Sequence, residues 1–84
     1  MLHSETYKFQ YTRQQGRQRT YDVVLNIVQR DSGVFAYESW VHFAHEFKGN
    51  GLVFPLNAKT ATDAAAEARG RIEDEIEHLA GVAE

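Results

Sequence analysis

The stretch "VHFAHEF" at residues 41–47 gathers His42, His45 and Glu46 within five positions. Imidazole nitrogens and carboxylates ligate metals and carry protons, so the residue types alone allow a metal site or an acid/base pair. The spacing argues against both. Val41, Phe43 and Phe47 favour a strand, and a strand sends His42 and His45 to opposite faces unless the chain bends between them. His42 and Glu46 would share a face but stand about 13 Å apart by rise alone, too far to hold one ion. The metalloprotease pattern needs a second histidine three residues after the His-Glu pair, and that position is Gly49. The absence of cysteine removes thiolate nucleophiles and sulfur-based zinc sites. The expectation is a chain that is not an enzyme and uses no cofactor or metal, with these three residues at the wet end of a sheet.

Two charge clusters carry other chemistry. "TRQQGRQR" at 12–19 sets Arg13, Arg17 and Arg19 around one turn, where guanidinium groups could grip phosphates while Tyr11 and Tyr21 stack on bases. "EDEIE" at 73–77 crowds four carboxylates, among them Glu73, Asp74 and Glu77, near the end of a helix, where they oppose the macrodipole and invite a cationic partner. Solvated surface is the plainer reading of each cluster. The net charge of −3 divides into +3 over residues 1–30 and −6 over residues 31–84, a polarity suited to head-to-tail association or to binding an anion at one end.

The elements that position these residues follow from periodicity. Tyr7, Phe9 and Tyr11 alternate with polar residues, and the alternation resumes after Gly16 through Tyr21, Val23, Leu25 and Ile27, which predicts an antiparallel hairpin. "DSG" at 31–33 is a second turn, leading into a third strand with Phe35, Tyr37, Ser39, Val41 and Phe43 on its core side. "KGNG" at 48–51 reads as a third turn, followed by a brief strand "LVFPLN" limited by Pro55. From Thr60 the period becomes helical: Ala61, Ala65, Ala68, Ile72, Ile76 and Leu79 form one stripe, Thr60 or Thr62 serves as N-cap, Gly81 is the stop, and Gly70 suggests a close contact. Residues 1–84 therefore predict a single α+β domain, a three- to four-stranded antiparallel sheet with one C-terminal helix on one face.

One helix covers one face. The other face would present Val24, Val28, Val34, Ala36 and Trp40, more apolar surface than a monomer of this size leaves wet. Burying some 400 Å² per chain, at about 25 cal/mol per Å², would contribute on the order of 10 kcal/mol before association costs, so a homo-oligomer, in its simplest form a dimer, is expected. A domain this small buries roughly 60 to 65% of its chain surface on folding and gains from such a partner. A composition 43% hydrophobic and 25% charged is that of a folding chain. Residues 1–9 lack the apolar run of a signal peptide and no stretch suits a membrane span, which together with the lack of cysteine predicts a cytoplasmic protein.

Residues 22–79 resemble the HicB-type antitoxin domain, a small β-β-β-α unit. The resemblance lies in the strand "DVVLNIVQRDSG", the return strand "VFAYES", a short third strand, and "TATDAAAEARGRI", where Thr60, Asp63 and Ala64 match that family's opening of its helix. It implies a module that pairs with a small basic toxin, forms homo-oligomers and has no catalysis of its own. The chain departs from the pattern in lacking the proline turn after the second strand, in having Ala58 and Lys59 where Gly-Asp is common, and in adding a leading strand. No DNA-binding helical segment follows, so operator binding is not implied. A non-catalytic interaction module is thus the first functional reading, with nucleic-acid binding through Arg13, Arg17 and Arg19 as the alternative.

Overall fold

The computed structural model describes residues 3–84, with four strands, β1 (His3–Thr12), β2 (Thr20–Gln29), β3 (Phe35–Phe43) and β4 (Glu46–Pro55), followed by the helix α1 (Ala61–His78). The strands form an antiparallel meander in the order β1-β2-β3-β4, and α1 lies across β2 and β3 on one face. The fold class is α+β, as the periodicity predicts.

Alternation places the core where expected. Tyr21, Val23, Leu25 and Ile27 of β2 and Phe35, Tyr37 and Val41 of β3 are buried against Ala64, Ala68, Ile72 and Ile76 of α1. The helical stripe therefore runs at strict spacings of four. Ala61 is exposed, Ala65 only half-buried, and Leu79 stands past the helix end. Small Ala64 and Ala68 let the front of α1 sit close to the sheet, and Ile72 and Ile76 fill the wider end. Thr60 is the N-cap, its hydroxyl accepting from the Asp63 amide at 3.2 Å. The stop comes before Gly81, because Leu79 itself takes the left-handed cap conformation (φ 53°). Gly70 faces open space, so no close contact explains it.

The second correction concerns β4. The turn expected at residues 48–51 is strand, and the reversal falls at Ala44 and His45, both at positive φ (50° and 68°), between the paired residues Phe43 and Glu46. Two successive left-handed residues suit a tight hairpin, whose twist matches that of its strands. β4 is thus ten residues long, and its register against β3 shifts twice.

After α1 the chain folds back across one end of the sheet. Val82 is buried in the core, the Ala83 amide donates to the Lys48 carbonyl at 2.9 Å, and Tyr21 donates to the Ala83 carbonyl at 3.4 Å.

Candidate interaction site

"VHFAHEF" does bend, yet the bend does not assemble a site. His42 lies on β3 against the Phe47 ring (5.5 Å between centroids), His45 occupies the turn, and Glu46 on β4 pairs with Lys48 at 3.4 Å. Among the described residues no three His, Asp or Glu side chains gather where they could hold a metal ion.

Arg13 is not a phosphate grip. It is 8% exposed, with its guanidinium against the C-terminus of α1: Nε donates to the Ile76 carbonyl (3.0 Å), Nη2 to the Glu77 carbonyl (2.8 Å) and Nη1 to the Glu84 carboxylate (2.7 Å). The last carbonyls of a helix have no helical partner and carry partial negative charge, so a cation there both satisfies hydrogen bonds and offsets the dipole. Arg19 stacks on the Phe43 ring at 4.5 Å, and the exposed Arg17 gives its backbone amide to Glu84. Of the three arginines, Arg13 is thus taken up inside the chain, Arg19 lies on an aromatic ring, and Arg17 is the exposed member.

Much of the acidic run is likewise engaged within the chain. Glu77 accepts from the Tyr11 hydroxyl and the Gln14 amide, Glu75 from Tyr37 (2.6 Å) and Asn50 (3.3 Å), and Glu73 pairs with Arg69 at 3.3 Å. Asp74 is the most solvent-directed, near His78 at 3.5 Å. The first hairpin closes on the acidic end of α1 through the Arg13–Glu84 ion pair and the bonds from Tyr11 and Gln14 to Glu77.

These contacts set a pH window. Hydrogen bonds from the Arg17 amide to Glu84 and from Tyr11 and Gln14 to Glu77 hold both carboxyls below the ordinary 4.5, as the Asn57 amide and its neighbours do for Glu67. Their contribution is present above that value and lost as pH falls below it. Tyr11 is pushed up to about 12 by its bond to Glu77, and burial followed by the Glu75 bond raises Tyr37 above the ordinary 10. A raised phenol contributes fully below pH 10, and that contribution disappears as pH climbs through the folded value. Urea midpoints are therefore expected to be level between about pH 5 and pH 9 and to drop on either side. The alkaline drop should be smaller in Tyr37→Phe, and an equal drop in that variant would remove Tyr37 as its source.

The helix-free face is the surface left without cover among the described residues. Its β1 side is polar: Ser4 and Thr6 donate to Asn26 (2.9 and 3.3 Å), Asn26 to Glu38 (3.0 Å), and Gln10 to Asp22 (2.9 Å). Its other side is apolar, with Val24 paired to Trp40 across β2 and β3, and Val28 to Ala36 and then Pro55 across β2, β3 and β4. Two members of the expected patch need correction. Ala36 is 1% exposed, already enclosed between its strand neighbours, and Val34 precedes β3 in the turn. β4 supplies what the sequence reading missed, Val53 beside Glu38 and Phe47 beside His42, at 49% and 54% exposure. Val28, Ala36 and Val53 line a shallow depression of about 270 Å³ rimmed by Arg30. The candidate site runs from Val24 and Trp40 to Val53 and Phe47, with Asn26, Glu38 and His42 set among these apolar residues. No described helix is long and apolar enough to cross a membrane. Compared with protein-family models, curated proteins and solved structures, the chain finds no match in any of the three.

Proposed function

We propose that the chain is a non-catalytic interaction module that self-associates through the helix-free face of its sheet. One observation carries the reading: half-exposed Phe47 and Val53 lie beside the Val24–Trp40 and Val28–Ala36 rows on one face of the sheet, with α1 on the opposite face. Apolar residues grouped in this way in small domains gain from burial against a second surface, and the Asn26–Glu38 pair that runs between the two apolar rows satisfies its own polar groups, which lowers the cost of covering it. A role like that of HicB-type antitoxins is the finer form of this proposal, in which a small basic protein would meet the exposed Asp74, with Glu73 beside Arg69 at the edge of the contact.

Trp40 is the only tryptophan, so its emission reports this face directly. Sedimentation of the wild type at tens of micromolar is expected to show an oligomer, and dilution should shift Trp40 emission to the red. Val53→Arg alters an exposed position and so should leave the fold intact, while a symmetric contact receives two desolvated charges, weakening association on the order of 100-fold. A wild-type monomer at those concentrations would end the proposal.

A further inference from the structure

The two edges of the sheet are built differently. β4 is blunted by two register shifts, by Pro55, and by the tail whose Ala83 amide bonds Lys48. β1 runs from His3 to Thr12 in unbroken register with β2, without proline or bulge. Unprotected edges of this length are templates for another strand. The Arg13 amide donates to Arg19 at 2.9 Å, in register with the β1–β2 ladder. By the alternation of an antiparallel pair, residues 5, 7, 9 and 11 then turn their amides toward β2, and Ser4, Thr6, Lys8, Gln10 and Thr12 turn theirs outward. Beside this edge, Tyr7, Phe9, Ala65, Ala66 and Arg69 line a groove of about 370 Å³ between β1 and α1.

We infer that the β1 edge is a second self-association surface, where β1 of one copy pairs antiparallel with β1 of another around Tyr7. Side-chain chemistry selects this register. A two-fold axis normal to the sheet keeps both helices on one side and so allows only pairings of like parity. Two registers give long overlap. One opposes Lys8 to Lys8, a like-charge pair that is destabilising. The other pairs residues 3 to 11, opposes Lys8 to Thr6 and sets Glu5 across from Phe9, whose ring lies under the Arg69 guanidinium at 4.5 Å. Glu5, which accepts from the Tyr7 hydroxyl of its own chain, then adds its negative charge beside the partner's Arg69, itself paired with Glu73, and the two Tyr7 rings meet beside small Ala65 and Ala66. The resulting eight-stranded sheet leaves both helix-free faces on its other side, so edge and face contacts together close a four-chain assembly. The edge inference stands on β1 alone and does not require the face contact.

Hydrogen exchange separates the two surfaces. In the oligomer, the amides of Thr6, Lys8 and Gln10 are expected to be protected alongside those of Tyr7 and Phe9, and to lose protection on dilution. Lys8→Pro removes an outward amide without breaking a β1–β2 bond and should weaken edge association by at least about tenfold, whereas Lys8→Thr should not. Protection of residues 7 and 9 alone, in a sample that sedimentation shows to be associated, would overturn the edge pairing and leave the face contact standing. A Val53→Arg protein that falls from four chains to a dimer with its outward amides protected would support both contacts, whereas the same dimer in wild type and variant would support the edge and count against the face.

Discussion

Replacing Arg13 with alanine is expected to lower the unfolding free energy by about 2–4 kcal/mol, a large part of the roughly 4–13 kcal/mol available to a domain of this size. The loss has three sources. The carbonyls of Ile76 and Glu77 lose charge-assisted donors, Glu84 loses its ion-pair partner at 2.7 Å, and the aliphatic stem leaves a gap under the first hairpin. Arg13→Lys keeps the charge but lacks the planar fork that reaches two carbonyls and a carboxylate together, so it should fall between alanine and wild type. Glu84→Gln should cost least, because the carboxylate is partly solvated and the helix carbonyls stay capped. Urea denaturation of the three variants gives the ranking. A loss below about 1 kcal/mol for Arg13→Ala would mean that the guanidinium behaves as a surface charge.

Gly49→Ala is expected to cost about 2–4 kcal/mol, while Gly70→Ala should stabilise by up to about 1 kcal/mol. A Cβ at Gly49 would stand 2.0 Å from the Gly81 carbonyl oxygen and 3.3 Å from the Val82 Cα, on a backbone at φ +134°. Neither neighbour is a flexible side-chain tip, so the tail must lift, taking buried Val82 and the Ala83–Lys48 bond with it. Gly70 lies in α1 with nothing within 4 Å, and alanine there reduces the freedom of the unfolded chain without strain. Opposite signs for the two glycines in thermal melts are the expected result. A neutral Gly49→Ala would show that the tail does not contact β4 in solution.

These positions also mark how far sequence reasoning reaches. Strict alternation located β1, β2 and the inner face of β3, because each has a single buried side and period two is unambiguous there. The same parity ran on to Arg13, after Tyr7, Phe9 and Tyr11, and so carried a legible signal that this cation points inward; its charge drew attention to solvent instead. The β3–β4 turn was hidden because Ala44 and His45 are not typical left-handed residues, whereas the glycines at 49 and 51 advertise a turn and serve the approach of the tail and the irregular register. In the front of α1 every candidate stripe residue is alanine, and hydrophobicity alone cannot choose between Ala61, Ala64 and Ala65. Phe47 escaped notice because the turn expected at 48–51 cut it off from the last strand, and Val53, although inside the brief strand "LVFPLN", because a strand of that length with Pro55 in it shows no clear alternation to assign its face.

The clasp between the first hairpin and the last residues has a kinetic side. Arg13 and Glu84 are 71 positions apart, and the Ile76 and Glu77 carbonyls are almost as distant. During synthesis β1 and β2 emerge long before the groups that hold them down, so the hairpin must wait, tethered and half-greasy, for the ribosome to deliver residues 76–84. Such dependence on remote neighbours slows assembly and prolongs the time in which nascent strands of separate chains can find each other.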